Sequence, residues 1–296
     1  MKPQDIAFAT FIAFVWGLNF VAVKWAVEDF PPLLANTVRF MAVLVIFFPF
    51  LQIVSGRMKP LLLAAFTLGV AHFGMVFLGM EHSGGVGSVA IASQLNVPFS
   101  TILAIIILKE TVGWKRVVGL GFSFAGVMII GFDPVVFNHM AGLLAIVFAA
   151  FLYSASAIMM RQLKDVRAVT VQAWVSVAGI SGSLLLSLLF EVGQIDALKE
   201  ARPLAWAALL YSGIGSSVIG HGGANYLFRK YEASVVAPYF LFVPLFAVLG
   251  ARIILGETLS DKVIIGGLIT IFGILIVTVR NNVRAKSREM ADGSVI

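Results

Sequence analysis

The first apolar stretch of the chain carries side chains that could recognise a small solute without covalent chemistry. Asn19 and Phe20 lie three and four residues after Trp16, which places all three on one face of a helix. An indole offers a stacking surface and one donor, and an amide both donates and accepts hydrogen bonds. We therefore expect Trp16 and Asn19 to contact a bound solute, although Trp16 could instead face lipid and Asn19 could bond a neighbouring helix.

Similar polar groups interrupt the other apolar stretches, where they are costly unless they face the protein interior or a wet cavity. The candidate substrate-binding residues are Trp16, Asn19, His72, Gln94, Asn96, Tyr153, His221, Asn225 and Tyr239. Several have a purely structural alternative. Amides beside a proline could satisfy freed backbone groups, buried histidines could serve only as hydrogen-bonding groups, and the tyrosines could simply pack.

Pro98, Pro238 and Pro244 lie inside apolar stretches that also carry candidate site residues or adjoin them. A proline within a helix removes one backbone donor and clashes with the preceding turn, so it kinks or breaks the helix. We expect these three positions to act as kinks or hinges beside the candidate site.

The elements that position these residues must be membrane helices. Of the 296 residues, 60% are hydrophobic and 12% are charged, whereas a soluble protein keeps roughly 25% of its residues charged. There are too few charged residues to cover the outer surface of a water-soluble protein, so the outer surface of this one must face lipid. There is no cysteine, which excludes disulfides, thiolate metal sites and cysteine nucleophiles.

Ten stretches are long enough and apolar enough to cross a bilayer, which takes about 20 residues each. They are predicted at 6–26, 33–53, 61–80, 85–108, 115–132, 141–160, 171–190, 204–227, 233–255 and 263–280. With the N-terminus inside, 15 of the 21 Lys and Arg residues fall in cytoplasmic segments. This bias predicts that both termini are cytoplasmic. It also explains the net charge of +6 without nucleic acid as a partner.

An internal repeat divides the spans into two sets of five. "IILKET" at 106–111 recurs as "IILGET" at 253–258, and the small residues Gly119, Ser123 and Gly126 recur at the same displacement as Gly266, Thr270 and Gly273. Because each half has an odd number of spans, the second half must cross the membrane in the opposite direction, as in secondary transporters. We predict repeats at 1–134 and 135–282, followed by a disordered basic tail at 283–296.

The motifs "WGLNF" at 16–20, Pro31-Pro32, Arg39-Phe40, the repeated Glu-Thr and "KYEASVVAP" at 230–238 resemble those of the drug/metabolite transporter superfamily, and especially its EamA-type exporters. The resemblance covers the chain to about residue 280. It implies an all-α polytopic protein with ten transmembrane helices in a 5+5 inverted repeat. It also implies export of amino acids or related metabolites, since relatives export aromatic amino acids or metabolites of the cysteine pathway.

The positions of the acidic residues limit the charge that the solute can carry. All 15 Asp and Glu residues fall in loops, tails or the ends of spans, whereas a proton-coupled pump for lipophilic cations needs a carboxylate in mid-membrane. We therefore expect a neutral or zwitterionic solute, either an aromatic amino acid or a smaller thiol or hydroxy amino acid. Lys24 and Arg39 are expected near helix ends, where they would reach the interface or pair with Glu28 and Asp29; a contact with a carboxylate of the substrate is the alternative.

The leading hypothesis is a secondary transporter of the inner (plasma) membrane that exports amino acids by alternating access. An exchanger of sugar phosphates or nucleotide sugars is an alternative, but it would need more basic residues deep in the spans. A membrane scaffold without transport is another. No enzymatic activity, catalytic residue, metal site or cofactor is expected, because the Gly-rich segments at 84–88 and 221–223 lack the rest of any catalytic motif. The expected partners are a small neutral or zwitterionic metabolite and the bilayer. The chain would be a monomer or homodimer.

Overall fold

The computed structural model describes residues 1–231 and 233–291, which form helices and connecting turns without any strand. Ten helical spans follow the predicted order. They are α1 (Pro3–Asp29), α2 (Pro32–Phe50), α3 (Met58–Glu81), α4 (Val86–Leu108), α5 (Trp114–Gly131), α6 (Met140–Arg161), α7 (Ala168–Phe190), α8 (Pro203–Leu210, Tyr211–His221 and Gly222–Lys230), α9 (Ala233–Phe240 and Phe242–Ile254) and α10 (Asp261–Ala291).

Within the described residues, nine helices are long and apolar enough to cross a membrane, and the apolar part of α9 is shorter. Large apolar side chains are exposed on the outer surface of the bundle, including Val45, Phe190 and Ile253. Such a surface is unfavourable in water and suits contact with lipid. The all-helical architecture predicted from composition is therefore confirmed, whereas the orientation of the termini remains a prediction.

Helix starts follow from local sequence. Pro32 begins α2, where its missing N–H costs nothing because the first N–H groups of a helix have no partner within it. The carboxylate of Glu191 accepts hydrogen bonds from the free N–H groups of Leu33 and Leu34 at 2.8 and 3.2 Å. This carboxylate, from the segment that follows α7, ties that segment to the start of α2 and complements the helix dipole.

The last helix extends beyond the predicted repeat boundary. α10 continues to Ala291, so the backbone at 283–291, expected to be disordered, is helical. Residues 284–291 contain Arg, Ala, Lys, Glu and Met, all of which favour helix even where the segment is polar. The rest of the predicted tail, 292–296, lies outside the described residues.

The two halves pack on each other with a regular exchange of partners. α1 contacts α8 and α9 of the second half, and α6 contacts α3 and α4 of the first half. α2 packs against α7, and α5 packs against α10. The contacts of α1 with α8 and α9 thus match those of α6 with α3 and α4, which are the equivalent helices of the other half. This is the packing expected for a 5+5 inverted repeat.

The small residues of the repeat lie where α5 and α10 cross. Gly126 abuts Gly266 and Thr270, and Gly119 abuts the carbonyl oxygen of Gly273, so that a Cβ at either glycine would collide with backbone atoms. The Ser123 hydroxyl donates back to the Gly119 carbonyl oxygen at 2.9 Å, so it needs no partner across the interface. Small residues on one helical face allow this close backbone approach in a membrane.

Candidate functional site

A cavity of about 370 Å³ lies between the two halves. Side chains from α1, α3, α4, α6, α8 and α9, together with Thr278 of α10, line it. Seven of the nine predicted site residues are among them, namely Trp16, Asn19, His72, Gln94, Asn96, Tyr153 and His221. The structure thus brings together residues from both ends of the sequence, while their contact with substrate remains a prediction.

Trp16 forms one wall of the cavity. Its ring centroid lies 5.2 Å from that of His221 and 4.9 Å from that of Phe240, and its Nε1 donates to the Ser216 carbonyl oxygen at 3.2 Å. Gly220 provides the space for the indole, since a Cβ there would collide with it. Because its donor is occupied, Trp16 offers the cavity mainly an aromatic surface.

Tyr153 and His72 form the corresponding wall on the other side. Their ring centroids are also 5.2 Å apart, and His72 Nδ1 donates to the Ala149 carbonyl oxygen at 2.8 Å. That hydrogen bond places a proton on Nδ1, so in the neutral ring Nε2 is the remaining acceptor. His72 therefore provides the cavity wall with an acceptor as well as an aromatic surface.

Both histidines end a π-helical segment. One segment spans Thr67–His72 in α3 and the other spans Tyr211–His221 in α8. Gly69 packs against the backbone of α7, and Gly213 packs against the Arg39 carbonyl oxygen in α2. Segments of π-helix are rare and are frequent at functional sites. No periodicity in the sequence signalled them.

The two proline-containing helices break beside the cavity. α4 is interrupted at Gln94 and Leu95, ahead of Pro98, and α9 is interrupted at Leu241, ahead of Pro244. Pro98 has no N–H for the Gln94 carbonyl oxygen, which accepts instead from Val97 N at 3.1 Å. Residues at both breaks line the cavity, Gln94 in α4 and Leu241 in α9, and the role of the prolines as hinges remains a prediction.

Two predicted residues stand apart from this cavity. Pro238 lies within the first segment of α9, and the neighbouring Tyr239 packs against an apolar cluster of Ala9, Ile12 and Val236 rather than lining the cavity. The one-residue step from Tyr239 to Phe240 turns a different face inward, and Phe240 lines the cavity. The side chain of Asn225 lies outside the part of the chain that the structure describes.

Arg39 is the residue that sequence reasoning placed wrongly. Instead of reaching the interface or pairing with Glu28 and Asp29, it is buried within the bundle, with 1% of its surface exposed. Arg202 forms the ion pairs with those two acids instead, and its Nη2 lies 2.7 Å from Asp29 Oδ1 and 3.0 Å from Glu28 Oε2. These hydrogen bonds, to Asp29 above all, raise the pKa of Arg202.

The ion pairs at the membrane surfaces repeat the symmetry of the fold. Arg202 precedes α8 and pairs with Asp29 at the end of α1, while Arg57 precedes α3 and pairs with Asp165 after α6 at 2.7 Å. Both pairs join equivalent helices at opposite surfaces of the membrane. Exposed ion pairs contribute little stability. Their equivalent positions are further evidence that the two halves are structural repeats.

No metal site accompanies the cavity in the described part of the chain, where no cluster of three or more His, Asp or Glu side chains could hold an ion. The lining combines amides, hydroxyls, imidazoles and aromatic rings. Such a surface binds by hydrogen bonding and stacking, as expected of a small-molecule site with apolar walls and few polar groups.

Comparison with known proteins gives concordant results. The sequence profile of the EamA-like transporter family matches residues 5–132 and 140–279. A "Probable amino-acid metabolite efflux pump" of Salmonella typhimurium is 26% identical over 299 residues, covering 97% of this chain and 99% of the relative. A protein of the same description in Escherichia coli K12 is 25% identical, covering 93% and 95%.

An "Uncharacterized transporter" of Archaeoglobus fulgidus is 30% identical over 271 residues, covering 88% of this chain and 94% of the relative. A protein of known crystal structure superimposes with a TM-score of 0.62 at 15% identity, covering 94% of this chain and 98% of its own. At that identity the structural likeness establishes the fold alone.

Proposed function

The chain belongs to the EamA-like transporter family of the drug/metabolite transporter superfamily and is a multi-pass transporter of the inner membrane; on that premise, we propose that it exports amino acids and related small metabolites by alternating access. The solute would be neutral or zwitterionic, with aromatic amino acids the best match to the rings of Trp16 and Tyr153. It would bind in the cavity between the halves.

One observation carries the proposal. Each half contributes a histidine at the end of a π-helical segment, and each histidine packs on an aromatic ring of the other half, at the same distance, in one shared cavity. A site built equally by two oppositely oriented halves can be exposed to either side of the membrane when the halves exchange conformations. A scaffold without transport would have no need of this arrangement.

The chemistry of the cavity supports a small organic solute. Its volume of about 370 Å³ is near the lower end of ligand pockets, which run from about 300 to 1,000 Å³. Asn19, Gln94 and Asn96 supply amides, and no Asp or Glu contributes to the lining among the described residues. The printed descriptions of the Salmonella and Escherichia relatives agree with an amino-acid metabolite.

The proposal is tested by counterflow in proteoliposomes that contain the purified protein and are preloaded with one unlabelled amino acid at a time. Uptake of the matching labelled amino acid above that of protein-free liposomes is the expected result, with phenylalanine, tyrosine, tryptophan, cysteine and serine as the panel. Movement of none of them would overturn amino acid export. Exchange of a labelled sugar phosphate in the same liposomes would establish the alternative substrate class.

A further inference from the structure

Arg39 is a positive charge in the middle of the membrane. It lies seven residues after Pro32 and eleven before Phe50 in α2, which places it about 10 Å from one helix end and about 16 Å from the other at 1.5 Å per residue. A hydrocarbon core of about 30 Å leaves no route from there to either interface. The side chain is therefore held inside the bundle, where an unpaired charge is expensive.

The protein satisfies this guanidinium poorly. Its Nε and Nη2 reach the Ser212 carbonyl oxygen at 3.4 Å and the Ser217 hydroxyl at 3.5 Å, at the outer limit of hydrogen bonding. Nη1 has no partner among the described residues. The main contact is with aromatic rings, since the guanidinium carbon lies 3.9 Å from the centroid of Phe73 and 4.8 Å from that of Phe40.

Among the described residues, no carboxylate pairs with the Arg39 guanidinium. Residues 30–80, which include α2 and nearly all of α3, contain no Asp or Glu. Every ion pair between described residues lies at an end of the bundle, such as Arg57 with Asp165 and Lys230 with Asp5. A buried charge is normally retained only when an opposite charge or a set of hydrogen bonds pairs with it. The counter-charge for Arg39 is therefore expected on a solute that the cavity binds.

Arg39 lies directly behind the cavity. Phe73, on which the guanidinium rests, lines the cavity, and so does Ser216, the neighbour of Ser217. The guanidinium is therefore separated from the cavity by the ring of Phe73.

We propose that Arg39 selects solutes that carry a carboxylate, because it supplies the positive charge that a bound carboxylate neutralises. This inference rests on the proposed function and deepens it. The cavity prefers small zwitterions and monocarboxylates to the amines that lack the carboxylate, since opposite charges attract strongly in a poorly solvated interior. Arg39 acts across Phe73 as a specificity-determining residue and forms no covalent bond.

The test compares matched pairs in counterflow: phenylalanine with 2-phenylethylamine, alanine with ethylamine, and serine with ethanolamine. The wild-type protein should move the amino acid of at least one pair on the order of tenfold faster than its amine. Arg39→Gln should remove most of this preference by slowing the amino acid, whereas Arg39→Lys, which keeps the charge, should retain most of it. Lys199→Gln, in the exposed segment between α7 and α8, is the control and should change nothing.

The outcomes separate the two proposals. If the wild type moves no member of any pair, the proposed function fails. If it moves amino acids and Arg39→Gln keeps the wild-type preference over amines, the inference on Arg39 is overturned and the residue only joins α2 to α8. Should Arg39→Gln fail to insert, thermal unfolding of the wild type decides: stabilisation by 2-phenylethylamine equal to that by phenylalanine would contradict carboxylate selection, and stabilisation by phenylalanine alone would support it.

Discussion

His72 and His221 occupy equivalent positions in the two halves of the protein. Each is the last residue of a π-helical segment, and each has an aromatic ring of the opposite half at a centroid distance of 5.2 Å, Tyr153 for His72 and Trp16 for His221. Two related ring pairs therefore hold the halves in contact at the cavity.

Trp16→Ala should strongly reduce transport and leave membrane insertion intact. The substitution removes the ring that packs on His221 and Phe240 and the donor to the Ser216 carbonyl oxygen. We expect at least a tenfold fall in counterflow, corresponding to about 1.4 kcal/mol or more. Counterflow per mole of reconstituted protein and size-exclusion profiles in detergent give the two measurements.

Trp114 provides the matched control, because 71% of its surface is exposed and it lies at the start of α5, away from the cavity. Trp114→Ala should transport at the wild-type rate. Asn96→Ala, another cavity position, should behave like Trp16→Ala. Wild-type rates in both cavity variants would show that this wall of the cavity does not contact the solute.

His72→Phe should lower stability more than His72→Asn. Phe preserves an aromatic surface but removes the hydrogen bond from Nδ1 to the Ala149 carbonyl oxygen at 2.8 Å, and one such bond contributes about 0.5–1.5 kcal/mol. Asn retains an N–H near the position of Nδ1. Thermal unfolding in detergent should therefore rank the wild type above His72→Asn and His72→Asn above His72→Phe.

The exposed His82, whose Nδ1 contacts the Leu78 carbonyl oxygen within its own helix, supplies the control for this series. His82→Phe should leave thermal unfolding unchanged, because water can replace its hydrogen bond. Equal stability of His72→Phe and His72→Asn would show that the hydrogen bond to Ala149 is not what holds the His72 ring in place.

The features predicted correctly from sequence are those fixed by local pattern. Continuous apolar runs determine a membrane helix, because the backbone must bond within itself in lipid. Pro32 starts α2 for a reason contained in one residue. The matching small residues around Gly126 and Gly273 indicated the repeat, and the structure shows that they allow α5 and α10 to approach closely.

The features missed depend on which distant segments meet. Trp16 and His221 are 205 residues apart in the sequence, and their pairing exists only after the halves dock. Arg39 resembled a residue near a helix end because Glu28 and Asp29 are close in sequence, yet Arg202 pairs with both acids. One signal was available: α2 and the adjoining loop offer no acid to balance Arg39.

Gly126→Ala should destabilise the protein, whereas Gly121→Ala should not. A Cβ at Gly126 would collide with the Gly266 carbonyl oxygen and with Thr270, while nothing lies within 4 Å of a Cβ at Gly121 on the same helix. Overpacking of this kind costs about 1–3 kcal/mol. A lower midpoint of thermal unfolding for Gly126→Ala alone is the expected result, and equal midpoints would contradict close packing of α5 on α10.

The orientation of the chain in the membrane can be tested with single introduced cysteines, because the native sequence contains no cysteine that would react as well. Lys199→Cys lies in a predicted outside loop and Lys59→Cys in a predicted cytoplasmic one, and both positions are exposed. A membrane-impermeant maleimide applied to intact cells should label the first and spare the second until the cells are opened. The reverse pattern would invert the topology derived from Lys and Arg.

In that topology the side chain of Glu257 caps the outer end of α4, and replacing Glu257 with alanine should open the cavity to the outside. Its carboxylate accepts from Val86 N at 2.8 Å and from Gly87 N at 3.1 Å, so a loop of the second half holds the first turn of a first-half helix. In a Val76→Cys background, where the label reports the cavity wall, Glu257→Ala should raise labelling from outside severalfold. Glu200→Ala, in an exposed outer segment, should not, because it caps no helix in the described structure. Unchanged or lower labelling in Glu257→Ala would mean that this contact stabilises α4 without gating the cavity.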